Sequence, residues 1–222
     1  MSVATPSTSP APGAPGGPAA PHPGLFAGRE SPWTWANLAT IVRLLACLVI
    51  FAQAFRTRDE TWNFVGLGVY WVLDVVDGFL ARRFDQETRL GAQLDILADR
   101  VCVCLFYFNY VVLYPDMIVP VLLFLFQFMG IDHHLSNQYL RWPIKSPNYF
   151  DLVDKRVWAL NWSKSGKLLN SAVVTLVLVG TKNVYAGSAV ALAIIGLKLY
   201  SFMLLQRVPA PEAGWAPPPG AG

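Results

Sequence analysis

Charge is scarce in this chain. Asp, Glu, Lys and Arg make up 14% of its 222 residues, against roughly 25% in ordinary soluble domains. So little charge argues against a soluble enzyme and against a disordered regulator. The net excess is only three positive charges, too small for the basic stripe of a nucleic-acid binder, so no nucleic-acid partner is expected. Cysteine is also sparse. Cys47, Cys102 and Cys104 are odd in number and all sit in apolar stretches. They form neither a disulfide framework nor a CxxC metal site and read as small buried hydrophobes. No repeat with a period of 20–50 residues is visible, which excludes a solenoid, and the two halves show no transporter-like symmetry. The first residues lack an apolar core behind a basic start, so they do not read as a secretory signal.

Apolar residues are what the chain has in abundance: 54% are hydrophobic and the mean hydropathy is +0.41. This composition indicates a membrane protein. Residues 1–32 are rich in Pro, Ala, Gly and Ser and read as a disordered tail; residues 209–222 read as a second. Between them, residues 33–208 contain six apolar stretches near 33–55, 61–81, 92–113, 117–129, 166–180 and 185–205. The expected fold is therefore an all-α integral membrane domain of six transmembrane helices, with the fourth and fifth stretches short for a span of about 20 residues. Placing the N-terminal tail in the cytoplasm puts eleven of the 17 Lys and Arg residues on that side. Three lie opposite (Arg56, Arg58, Lys182) and three within spans (Arg43, Arg100, Lys198), as positive-inside topology requires.

Four aspartates stand where a membrane helix should have none. An intramembrane carboxylate costs several kcal/mol unless it has a partner or a purpose. At 100° per residue, Asp74, Asp77, Gly78, Ala81 and Arg82 share one helical stripe about 140° wide. Thr88, Gly91, Asp95 and Asp99 form a second, and an antiparallel helix pair can turn the two stripes toward each other. Four carboxylates in a small low-dielectric volume repel one another, and a hard divalent ion relieves this. Small Gly78, Ala81 and Gly91 leave room for a ligand near the backbone, and Arg82 offers a planar fork suited to phosphate. Phosphate chemistry at a membrane face is the reading that uses all of these residues. A structural ion-pair network and an ion or proton carrier are the other readings. His133 and His134 follow Asp132 without a further ligand at helical spacing, so they read as interfacial residues or pocket lining rather than a metal site.

The pattern D-x2-D-G-x2-A-R-x8-G-x3-D-x3-D is complete from Asp74 to Asp99, with eight specified positions in 26 residues. It resembles the signature of the CDP-alcohol phosphotransferase family of membrane enzymes. Asn37-Leu-Ala-Thr40-Ile-Val-Arg43 is similar to the family's N-x2-T-x2-R pattern. The resemblance implies a six-helix homodimer with a polar cavity open to the cytoplasm. It implies transfer of a phosphatidyl group from CDP-diacylglycerol to an alcohol, releasing CMP. It makes Asp74, Asp77, Asp95 and Asp99 ligands for two Mg2+ or Mn2+ ions, with Asp99 also the general base. Asn37, Thr40, Gly78, Arg82 and Thr88 match positions that contact the CDP moiety.

The run from Gln86 to Arg100, with Asp132-His133-His134 and Lys198, further resembles eukaryotic-type phosphatidylinositol synthases. This implies myo-inositol as acceptor and a similarly placed lysine at Lys198; Lys164, Lys167 and Lys198 are the candidate acceptor contacts. A phosphorylated acceptor, as in phosphatidylglycerophosphate or phosphatidylinositol-phosphate synthesis, stays open, because Lys155, Arg156, Lys164 and Lys167 could bind one. Those cations equally suit positive-inside topology and anionic-lipid contact. The expected location is a plasma membrane if the source is bacterial and the endoplasmic reticulum if it is eukaryotic.

Overall fold

The computed structural model describes residues 22–26, 28, 30–212 and 215–217; most of the two expected tails lies outside these. Helix α1 (Trp35–Thr57) starts at Thr34, whose hydroxyl accepts from the Asn37 amide, and ends at Arg58 in a left-handed conformation with φ 50°. Asp59 then caps α2 (Glu60–Arg83) through the Thr61 amide. Thr88 caps α3 (Arg89–Leu113) through the Gly91 amide. Each cap satisfies a backbone donor that the first helical turn leaves open. A long fourth helix, α4 (Pro115–Arg141), follows directly, and a short α5 (Lys155–Asn161) is capped by Asp154. Helix α6 (residues 164–181) is capped by Ser163 and α7 (Val184–Gln206) by Asn183.

Among the described residues, five helices are long and apolar enough to cross a membrane: α1, α2, α3, α4 and α7. The expected fifth span is helical as α6, but its first two turns carry Lys164, Lys167, Asn170 and Ser171. That polar start keeps it below the apolarity of the other five. Val49, Val72, Phe108 and Leu176 are exposed on the outside, the side chains a bilayer would cover.

The helices pack in two groups. Helix α1 lies on α2 and α3, whereas α7 receives α4 and α6. The apolar centre holds Cys47, Phe51, Cys102, Phe106, Tyr107, Tyr110, Phe124, Val174 and Leu178. Two buried amides hold the first group together: Asn63 donates to the Phe106 carbonyl at 3.1 Å and Asn109 to the Phe51 carbonyl at 3.0 Å. Such bonds satisfy main-chain and side-chain groups that lipid cannot. A second core of Leu135, Tyr139, Trp142, Ile144, Phe150, Val157 and Leu205 closes the end bearing the 141–163 loop.

The described part of the N-terminal segment is seated on that end. Leu25 pairs with Ile144 as an isolated antiparallel bridge. The Phe26 ring lies 4.0 Å from the Arg89 guanidinium. Both Glu30 carboxylate oxygens accept from the Arg89 amide, at 2.8 and 2.9 Å, a favourable place for an anion at a helix N-terminus. Tyr149 donates to Glu87; burial, reinforced by this carboxylate, pushes its phenol above the usual range and keeps it a donor.

Two helices contain π-helical turns, Gln127–Asp132 in α4 and Leu168–Val173 in α6. Both turns supply residues that face the polar cavity between the helix groups: Asp132 from one, Asn170 and Ser171 from the other. An inserted π turn rotates the following side chains off the regular 100° register, which is how such turns come to build sites.

Candidate metal and nucleotide site

A cavity of about 470 Å3 is lined by all seven helices and the loop before α5. Asp74, Asp95 and Asp99 converge on it: one carboxylate oxygen from each lies within 4.8 Å of the other two. Asp74 comes from α2 and the other two from successive turns of α3, so the antiparallel pairing expected from the two stripes brings them together. The fourth aspartate, Asp77, stands beside this trio. It is 5% exposed and accepts from the Thr40 hydroxyl at 3.1 Å.

Arg43 is the cation these four carboxylates share. Its side chain is fully buried and reaches all four carboxylates. It bonds Asp74 and approaches Asp77 at 3.4 Å, Asp95 at 2.7 Å and Asp99 at 3.3 Å. The sequence placed Arg43 within a span and in a family pattern but did not identify it as this counter-ion. The role depends on a side chain reaching from α1 between two other helices, which no local pattern records.

Three carboxylates on two rigid helices are a hard, all-oxygen donor set, suited to Mg2+ or Mn2+ rather than a soft metal. Asp99 Oδ1 is buried and makes no hydrogen bond; its ion-pair partner is Arg43, at 3.3 Å. A buried carboxylate oxygen without a hydrogen bond is costly, and a cation held by Asp74, Asp95 and Asp99 would give it a closer partner. The residues present therefore fit such an ion.

The residues expected to contact CDP surround the mouth of this cluster. Asn37, Thr40, Gly78, Arg82 and Thr88 all line the cavity. Asn37 donates to the Pro32 carbonyl at 2.8 Å. Gly91 is what lets α3 approach it: a Cβ there would come within 2.6 Å of the Asn37 side-chain oxygen and 2.9 Å of the Thr88 hydroxyl. Gln86 also lines the cavity and accepts from the Trp35 amide at 2.9 Å, tying the α2–α3 connection to the start of α1.

Another part of the cavity wall carries a second charged cluster. Asp132 accepts from Arg100 at 2.6 Å through one oxygen and from Lys198 at 2.5 Å through the other. Lys198 also donates to Asn161 at 2.8 Å, and Arg100 stacks over Phe128 at 3.9 Å. Ser136, Asn161, Asn170 and Ser171 complete this wall. Of the three lysines expected at the acceptor, Lys198 and Lys167 line the cavity and Lys164 does not. Lys164 lies on an exposed face of α6, while Lys167 is held by Asn148 at 2.7 Å. His133 and His134 are not among the cavity residues; their imidazoles meet Asn137 and Gln138. Asp132 faces the cavity without them because the π turn ends there.

Comparison with known proteins agrees with this geometry. Residues 33–140 match the family model described as CDP-alcohol phosphatidyltransferase. Rat cardiolipin synthase (CMP-forming) is 36% identical over 93 residues, covering 40% of this chain and 29% of its own. The CDP-diacylglycerol–glycerol-3-phosphate 3-phosphatidyltransferase of Cereibacter sphaeroides is 34% identical over 101 residues, 43% of this chain and 46% of its own. The CDP-diacylglycerol–inositol 3-phosphatidyltransferase of Candida albicans is 34% identical over 83 residues, 37% of this chain and 35% of its own. The matched part thus spans between 29% and 46% of these relatives' lengths. No solved structure matches the chain significantly. The matched segment contains the whole aspartate signature, Arg43 and the residues around the cavity mouth, and it identifies residues 33–140 as a CDP-alcohol phosphatidyltransferase domain of a multi-pass membrane protein.

Proposed function

We propose that this protein transfers the phosphatidyl group of CDP-diacylglycerol to a hydroxyl of myo-inositol, forming phosphatidylinositol and releasing CMP. The observation that carries the reading is a single cavity with two unlike walls. One wall has Asp74, Asp95 and Asp99 converging beside Asn37, Thr40, Arg82 and Thr88. The other has the neutral hydrogen-bonding groups of Ser136, Asn161, Asn170 and Ser171 around an internally paired charge cluster. The first suits a nucleoside diphosphate and the second a polyol.

Each side chain has a task in this reaction. Arg82 and the Asn37, Thr40 and Thr88 polar groups orient the CDP moiety. Divalent ions held by Asp74, Asp95 and Asp99, with Asp77 beside them, would neutralise the diphosphate and stabilise charge on the departing CMP. Asp99 accepts the proton of the acceptor hydroxyl. The oxygen so activated forms a bond to the β-phosphorus, and the bond from that phosphorus to the CMP oxygen breaks. Trp162, Ile96 and Tyr70 add apolar surface to the lining. The cavity faces the cytoplasm in this reading, where Arg82, Arg83, Arg89, Arg141 and Lys145 place positive charge, and the protein works as a homodimer.

A phosphorylated acceptor is the second reading. It is favoured by Lys167 at the cavity edge and by the likeness to a glycerol-3-phosphate enzyme. The test of the proposed reaction is CMP release from CDP-diacylglycerol by purified protein with Mg2+ or Mn2+ and inositol. The wild type should release CMP, and Asp99→Asn should lower the rate by roughly 10²–10⁴-fold with its thermal midpoint retained. Equal rates in the two proteins would overturn the assignment of Asp99. Metal- or proton-coupled flux without CMP would point to a carrier instead.

A further inference from the structure

We propose that Asp132 selects the class of acceptor: it bridges Arg100 and Lys198 and thereby keeps phosphorylated alcohols out of the cavity while a neutral polyol is admitted. The proposal rests on the phosphotransferase reading of the cavity and gives its acceptor side a determinant.

The three residues come from three helices and meet on the cavity wall. Asp132 ends the π turn of α4, Arg100 follows Asp99 on α3, and Lys198 lies in the middle of α7. Arg100 is 5% and Lys198 2% exposed. Each Asp132 oxygen takes one of them, at 2.6 and 2.5 Å. The remaining contacts are neutral: Ser136 at 3.3 Å from Arg100, and Asn161 at 2.8 Å from Lys198.

An arginine and a lysine that a single carboxylate can bridge are also spaced to be bridged by one phosphate, whose oxygens accept the same hydrogen bonds. Asp132 already makes them. A phosphate monoester entering here would have to displace the carboxylate or sit beside it, and like charges at low dielectric repel strongly. Discrimination by an internal anion is exclusion of the wrong substrate rather than extra attraction for the right one. A neutral polyol meets no such repulsion and finds polar partners in the Asn170 side-chain oxygen, which makes no hydrogen bond, and in the Ser136 and Ser171 hydroxyls.

The test uses the full chain in detergent. Asp132→Asn keeps the side-chain shape and removes the charge. With metal chelated, inorganic phosphate should raise the thermal midpoint of Asp132→Asn and leave that of the wild type and of Asp132→Glu unmoved. In turnover, the ratio of kcat/KM for inositol 3-phosphate over inositol should rise roughly 10–100-fold in Asp132→Asn. A purely structural Asp132 would lower stability without creating phosphate binding. Should the variant fold only when phosphate is present, that dependence is itself the expected gain.

The wild type gives a test independent of that variant. Neither inorganic phosphate nor inositol 3-phosphate should inhibit CMP release competitively with inositol, and competitive inhibition by either would overturn the proposal. An Asp132→Asn protein blind to phosphate would also overturn it. The phosphate shift reads binding alone. Wild-type turnover with phosphatidylglycerol but not inositol would therefore remove inositol as the acceptor and leave the role of Asp132 to be decided by that shift. Wild-type turnover with a phosphorylated alcohol would remove both.

Discussion

Arg43 and Asp132 are single charges of opposite sign, each holding a group of the other sign inside the membrane domain. Arg43 reaches four carboxylates from a fully buried position. Removing one partner of a fully buried ion pair typically costs about 3–5 kcal/mol, and water reaching Asp74 and Asp95, 40% and 46% exposed, makes the loss smaller here. Arg43→Met should therefore lower the thermal midpoint of the metal-free protein. Mg2+ or Mn2+ should recover a larger part of that loss than the same ions add to the wild type, because the ion then supplies the missing positive charge. Thermal unfolding in detergent, with chelator and with metal, measures both terms; a midpoint unchanged by the substitution would contradict the counter-ion role. Gly91 makes the complementary case for space. The Cβ of Gly91→Ala would press on Asn37 and Thr88, so the KM for CDP-diacylglycerol should rise, by roughly tenfold for a lost orienting contact. Steady-state kinetics with the donor varied checks this, and a change confined to the inositol KM would count against it.

At the scale of the helix, what was legible in the sequence follows regularity. The 100° stripes on α2 and α3 predicted a facing pair, and Asp74, Asp95 and Asp99 do meet there, because both helices are regular through those residues. Thr88 was picked out as a nucleotide contact, and the structure adds that it caps α3. Thr88→Ala should thus cost about 1 kcal/mol of stability in addition to any effect on the donor, a split that paired unfolding and kinetic measurements resolve. Legibility fails where the helices are irregular. The π turns of α4 and α6 shift the phase of the residues after them. The polar wall of Asp132, Asn170 and Ser171 could therefore not be assembled from a regular wheel. Lys164 was expected in the pocket beside Lys167, yet only Lys167 lines it: both stand on the regular α turn before the π turn, where residues three apart differ by about 60° around the axis, and Lys167 is the one held by Asn148 of the cavity lining. The short fourth stretch, 117–129, is part of the 27-residue helix Pro115–Arg141, whose end crosses the polar run around Asp132. The sequence pattern stopped at that run.

For the whole molecule, charge sets the orientation and the cavity sets the chemistry. Eleven Lys and Arg residues fall on the expected cytoplasmic side and three on the other. Lys145→Cys and Lys182→Cys should accordingly be labelled by a membrane-impermeant thiol reagent from opposite faces, Lys182→Cys from outside intact cells and Lys145→Cys only after the membrane is opened. Labelling of both from outside would contradict the topology. The three native cysteines interfere little, since Cys47 and Cys102 are buried and Cys104 is partly so. The matched family segment ends at residue 140, whereas the wall proposed to hold the acceptor draws Asn161, Asn170 and Lys198 from the rest of the chain. The relatives that share the aspartate half bear different acceptor names, so the acceptor has to be measured. The most direct measurement is CMP release, with identification of the lipid product, by purified protein given CDP-diacylglycerol and Mg2+ or Mn2+. Myo-inositol, inositol 3-phosphate, glycerol 3-phosphate, serine and phosphatidylglycerol are supplied in parallel. The account predicts CMP and phosphatidylinositol with inositol alone, abolished by chelator. CMP release only with a phosphorylated alcohol, or only with phosphatidylglycerol, would contradict it.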